Sequence, residues 1–106
     1  MDRVIKDGKV AVLVAPRYGA GFHTWNVIPN LCFCPYIVNH ILNGTRDEIK
    51  ESEIKKFYNL TDDEYVSTHG LEDVEIEWVP QGTHFTINEY DGSETIQYLP
   101  VIAIIA

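Results

Sequence analysis

In Val74-Glu75-Ile76-Glu77-Trp78-Val79-Pro80-Gln81-Gly82-Thr83-His84-Phe85-Thr86-Ile87-Asn88-Glu89-Tyr90-Asp91-Gly92, apolar and polar residues take turns. A period of two belongs to strands, because successive side chains point to opposite faces of a sheet. Val74, Ile76 and Trp78 share one face, with Glu75 and Glu77 on a wet one. Pro80-Gln81-Gly82 makes a turn or bulge. Phe85 and Ile87 then share a face, opposite His84, Thr86, Asn88 and Tyr90. Asp91-Gly92 predicts a tight primed turn into the next strand.

Downstream, Ser93–Leu99 and Val101–Ile105 read as two more strands separated by Pro100, which breaks a ladder and favours an edge or bend. Upstream, Arg3–Lys6, Asp7-Gly8 and Lys9–Ala15 read as another hairpin. Between the two β regions lie helical patterns. Pro35 suits a first helical position, Ile37, Val38, Ile41 and Leu42 form an apolar stripe, and Gly44 suits the left-handed residue past the end. His40 borders that stripe as a flanking, capping histidine. Thr45 and Glu48 have capping-box spacing for a second helix running to about Tyr58, with Ile49, Ile54, Phe57 and Tyr58 on its buried side. Thr61 and Glu64 can cap a short turn, with His69-Gly70 as its exit. The expected architecture is α+β: a mostly antiparallel sheet of about six strands with two helices packed on it.

The chain's 106 residues fit a single ligand-binding domain over 1–106. The apolar tail Val101-Ile102-Ala103-Ile104-Ile105-Ala106 is far shorter than a membrane span. It is expected to be a central strand or to be covered by a second subunit. No signal peptide is read at Met1-Asp2-Arg3, and Cys32 and Cys34 are expected to be reduced, buried, cytoplasmic thiols. Their spacing disfavours a mutual disulfide and offers half a metal site at best, so no metal or cofactor is expected. The net charge is −8, and no Lys or Arg follows Lys56. Such a surface repels a duplex polyanion, which argues against sequence-independent nucleic-acid binding. A small phosphorylated ligand depends on local donors instead.

Those donors gather in Pro16-Arg17-Tyr18-Gly19-Ala20-Gly21-Phe22-His23-Thr24-Trp25-Asn26. Arg17 offers a fork of donors to a phosphate, and Tyr18, Phe22 and Trp25 can sandwich a purine while Asn26 reads its edge. Gly19 and Gly21 let backbone N–H groups approach closely. This is neither a dinucleotide-fold fingerprint nor a Walker loop, since a third glycine and a following lysine are missing. His84, Asn88 and Tyr90 share one strand face and supply a candidate opposite wall. The alternative for Phe22 and Trp25 is that both are core anchors pinning a long loop.

Three segments resemble the phage-encoded Thoeris anti-defence signal sponges. They are Arg3–Leu13, Tyr18–Asn26, and Leu71–Phe85 continuing through Glu89-Tyr90-Asp91-Gly92-Ser93-Glu94. The resemblance implies a non-catalytic protein that sequesters cyclic ADP-ribose isomers, and in some members cyclic oligonucleotides. It further implies a homo-oligomer, a dimer or a hexamer of dimers, with ligand enclosed between subunits in the infected bacterial cytoplasm. By the same resemblance the aromatic loop meets adenine, while the strand bearing His84 and Asn88 meets ribose and phosphate. Phe22-His23 departs from the larger aromatic pair expected there, and only Arg3, Arg17 and Arg46 supply arginine.

Other chemistry has thinner support. Cys34 at a helix start is a candidate nucleophile only if exposed, with His23 or His84 as base. Glu75 and Glu77 can form an acid–base or metal pair, or simply line a wet strand. An enzyme cleaving the same signals through His84 and a carboxylate is the main rival to sequestration. A small acidic inhibitor of a host protein is the second.

Overall fold

The computed structural model describes residues 3–17, 21–23, 30–61, 63, 64, 66 and 70–99. Strand β1 is Ile5–Lys6 and β2 is Lys9–Val14. Helix α1, Pro35–Leu42, and helix α2, Glu51–Phe57, follow. Strands β3 (Glu75–Pro80), β4 (Phe85–Tyr90) and β5 (Ser93–Tyr98) complete the order. The expected strand Val101–Ile105 lies outside the described residues.

Strand β2 organises the molecule. It pairs antiparallel with β1 through Ile5↔Val10 and with β3 from Lys9↔Pro80 to Val14↔Glu75. Every residue of Val10–Val14 is buried, so both faces of the strand need a cover. Ala11 and Leu13 face a core containing Phe22, Cys34, Ile37, Val38, Ile54 and Val74, with Ile76 and Trp78 packed against it. Val10, Val12 and Val14 face a second core with Phe33 and Val79, closed by Phe85, Ile87 and Ile96 of β4 and β5. Helices therefore lie on one side of the sheet and a hairpin on the other.

This corrects the expectation of one sheet of about six strands. The described residues hold five strands in two sheets, β1-β2-β3 and β4-β5. Among the described residues, β3 holds one edge of β2 along its whole length, and β1 holds the other only at Lys9 and Val10. After β3, Gly82 turns with φ 85°, Thr83 N–H donates to the Pro80 carbonyl, and Gln81 N–H donates back to Gly8. The chain thus leaves the β3 ladder and folds over the face of the sheet. Both Asp-Gly turns are primed as expected, with positive φ at Asp7, Gly8, Asp91 and Gly92.

Helix α1 matches its expected signals. Pro35 starts it, and it ends in a Schellman motif: Thr45 N–H donates to His40 O at 2.9 Å, Gly44 N–H to Ile41 O at 3.2 Å, and Gly44 has φ 71°. Ile37 and Val38 are buried, but Leu42 is exposed, so the stripe is narrower than expected. The second helix starts later than the capping-box spacing predicts. The Thr45 hydroxyl lies 2.7 Å from His40 Nδ1, Arg46–Glu48 forms a 3-10 turn, and Ile49 and Lys50 are extended before α2. On α2, Ile54 is buried and Phe57 is exposed. Thr61 and Glu64 close a turn, Thr61 N–H donating to Glu64 Oε1 at 3.3 Å.

Candidate functional site

The aromatic segment begins where β2 ends, and the start of β5 grips it from both sides. Glu94 N–H donates to the Ala15 carbonyl at 2.8 Å, and Ala15 N–H returns a bond to Glu94 Oε1 at 2.9 Å. The second carboxylate oxygen, Oε2, accepts the His23 N–H at 2.5 Å. Gly21 N–H donates to Gly92 O at 2.7 Å, and Ser93 Oγ–H donates to Pro16 O at 2.6 Å. His23 Nε2 lies 2.7 Å from the Leu13 carbonyl. Because a carbonyl only accepts, Nε2 carries the proton in that bond. Gly21 is buried at φ 58°, a conformation that an L side chain adopts only with strain.

Glu94 is 1% exposed. Its partners among the described residues are backbone amides rather than a cation. In the hairpin register it sits opposite Glu89, a like-charged pairing that opposes folding. Glu89 is exposed and turns its Oε1 away, to the Gly92 N–H at 2.6 Å. Two clefts border Glu94. One, of about 390 Å³, is lined by His23, Asn30, Leu31, Cys32, Ile87 and Glu89. The other, of about 430 Å³, is lined by Val14, Pro16, Glu75, Glu77, Thr95 and Ile96. Glu75 and Glu77 thus stand at the open side of the inter-sheet cleft, Glu75 exposed and Glu77 half-buried.

The sequence-selected residues divide into three groups. Tyr18, Gly19, Trp25 and Asn26 lie outside the described residues. Arg17, Gly21 and Phe22 lie at the gripped segment. Arg17 is exposed and donates from Nη1 to Asp73 Oδ1 at 3.0 Å. Phe22 is 0% exposed, inside the helix-side core and tilted against the His23 ring at 5.1 Å. A ring buried in the core is the placement that the anchor alternative describes, not that of an open stacking face. His84, Asn88 and Tyr90 are exposed, and Asn88 and Tyr90 lie on the hairpin face turned away from β2. Asn88 donates from its amide to Gln97 Oε1 on that face. His84 sits at the opposite end of β4 from the gripped segment, its carbonyl accepting the Leu99 N–H.

Two of the three arginines have structural work. The Arg3 guanidinium lies 3.9 Å from the Phe33 ring centroid. Arg46 Nη1 donates to the carbonyls of Leu71 (3.0 Å), Glu72 (3.2 Å) and Val74 (2.5 Å), holding the end of the 3-10 turn Leu71–Asp73. Arg46 also borders a groove of about 760 Å³, with Asp47, Ile49, Glu51 and Glu72. Arg17 differs from both in being paired, from an exposed side chain, with a carboxylate, the half-buried Asp73.

Cys34 belongs to the helix-side core, whereas Cys32 is half-buried against the second core and lines the first cleft. Cys34 is fully buried, which removes the access that a nucleophile needs. Burial pushes the Cys32 thiol up to about 11. Burial and a hydrogen bond with Cys34 raise the Tyr58 phenol above its ordinary range. Both groups resist ionisation when folded, so the folded state keeps protons that the unfolded chain has lost. The Cys32 share of that stability is whole below the ordinary thiol value of 9.0 and is lost as pH rises through about 11, and the Tyr58 share is lost only at higher pH. The urea midpoint is therefore expected to fall between about pH 8 and about pH 10.5, and less steeply in Cys32→Ser. Equal slopes in the two proteins rule Cys32 out as a source of the effect.

Among the described residues, no helix is long and apolar enough to cross a membrane. No group of three or more His, Cys, Asp or Glu among them is placed to hold a metal ion. No protein-family model, curated protein or solved structure matches the chain.

Proposed function

We propose that this protein is a non-catalytic sponge for cyclic ADP-ribose-type signals, acting in the cytoplasm of an infected bacterium to silence anti-phage defence. The observation that carries the reading is the framed loop. Its described ends are fixed by Glu94, Gly92 and Ser93 beside an exposed, exchangeable arginine. A segment fixed before ligand arrives loses little further freedom on binding, which favours tight holding.

Arg17 takes the phosphate charge, and the rings and amide of Tyr18, Trp25 and Asn26 take the base. Phe22 is left out of the contact set. The outward hairpin face with Asn88 and Tyr90 serves a second subunit, so the wall opposite the loop comes from a neighbouring copy in a dimer or hexamer. Each arginine then acts on ligand from more than one chain, which offsets the overall negative charge. Cyclic oligonucleotides form a second ligand class for the same assembly.

The test is to incubate the purified protein with a cyclic ADP-ribose isomer, remove free ligand, denature by heat and analyse the supernatant by chromatography. Intact ligand at a fixed ratio to subunits is the expected result. A cleaved product indicates an enzyme instead. Absence of retained ligand overturns the sponge and leaves the acidic inhibitor, which is then sought by co-purification with host proteins.

A further inference from the structure

Glu94 occupies a position that the hairpin pattern reserves for an apolar residue. Its neighbour along the same strand face is Ile96, and the facing residues Ile87 and Phe85 close the core over Val10, Val12 and Val14. A leucine or methionine there would pack against the same surroundings. It would also leave two backbone N–H groups, those of Ala15 and His23, without their acceptor. The carboxylate thus does what no apolar side chain can. It joins two separated points of the chain, one at the end of β2 and one beyond the glycine segment, through two different oxygens.

We propose that Glu94 is a positioning residue for the Arg17 site, fixing Ala15 on one side of Arg17 and His23 on the other through both carboxylate oxygens without touching ligand. The proposal rests on the sponge reading for its effect on affinity, and on geometry alone for its effect on the loop. At 1% exposure, Glu94 has almost no surface to offer a ligand, so its influence passes through the residues it holds. The supporting bonds give the frame direction: Gly21 N–H to Gly92 O, Ser93 Oγ–H to Pro16 O, and His23 Nε2–H to Leu13 O. Each of these is a single bond to one point. Among the described residues of this frame, Glu94 alone ties two.

A neutral amide is the discriminating substitution. Glutamine keeps size and shape but has one acceptor oxygen, so its NH₂ group must face either the Ala15 or the His23 N–H, donor against donor. In Glu94→Gln, hydrogen exchange at one of those two amides is expected to speed up at least about tenfold, while Val10 and Val12, whose amides face β3 in the ladder, stay protected. Affinity for a cyclic ADP-ribose isomer, measured by calorimetry, is expected to fall at least about tenfold. Arg17→Ala is the contrast: it loses ligand with the Ala15 and His23 exchange rates unchanged.

Unchanged exchange at both amides in Glu94→Gln overturns the proposal whatever happens to binding. Faster exchange with unchanged affinity also overturns it, because the loop is then not the determinant of holding. If wild-type protein retains no ligand, the sponge reading falls and the exchange data alone decide the role of Glu94. If Glu94→Gln fails to fold, wild-type exchange decides: Ala15 and His23 must be as protected as Val12, and rates typical of an open loop refute the proposal.

Discussion

Phe22→Ala is expected to lose about 3–5 kcal/mol of folding stability, the usual cost of deleting a fully buried aromatic ring. The ring is 0% exposed and shares its core with Leu13, Ile37, Val38 and Ile54. Truncation leaves a cavity between the sheet and the helices, and the neighbours relax into it only in part. Small domains have about 5–15 kcal/mol in total, so the loss is a large share. Thermal melting is expected to move down by roughly 15–30 °C. Phe22→Leu fills most of the volume and is expected to lose much less while keeping ligand. The opposite pattern, ligand lost with melting unchanged in Phe22→Ala, would return Phe22 to the binding surface.

The same residue shows where the sequence was readable and where it was not. A phenylalanine between Gly21 and His23 is equally good at stacking on a base and at pinning a loop, and nothing in the local pattern separates the two. Local rules settled the turns, because Asp7-Gly8 and Asp91-Gly92 fix backbone sign by chemistry alone. They settled α1 for the same reason, through Pro35 and Gly44. The second helix misled because its Thr45 hydroxyl was already paired with His40, a contact across the turn closing α1.

The two-sheet arrangement had one legible sign. The unbroken apolar run Val10–Ala15 demands cover on both faces, which one layer of helices cannot give. Which strands would supply the second cover depends on the reversal at Pro80-Gln81-Gly82, and strand order is not written in alternation. Glu94 had a sign too, since the period of two in Ser93-Glu94-Thr95-Ile96 places it beside Ile96 on the inward face. A charge at an inward position is a local contradiction of the kind that structure or function must resolve. The Arg46 clamp on three carbonyls had none. Its partners lie 25–28 positions away and are backbone atoms of no particular residue type.

Arg17→Ala is expected to abolish ligand retention with little change in folding. The two effects separate because of where the guanidinium lies. Its side chain is 78% exposed and its ion pair with Asp73 is at the surface, where such pairs contribute about 0–1 kcal/mol. If ligand is enclosed between subunits as proposed, the same group would make charge-assisted bonds to its phosphate worth about 1.5–3 kcal/mol each. In a symmetric assembly the loss recurs in every subunit that contributes the residue. Asp73→Asn sharpens the test, because it removes the competing anion and leaves Arg17 intact. Ligand affinity is expected to rise modestly in Asp73→Asn, and to rise most at low ionic strength, where exposed charges are least screened. Calorimetric titration of both variants checks the pair of expectations, with urea unfolding as the control for stability. Wild-type affinity in Arg17→Ala removes the arginine from the site, and reduced affinity in Asp73→Asn would mean that Asp73 holds Arg17 in place for the ligand instead of competing with it.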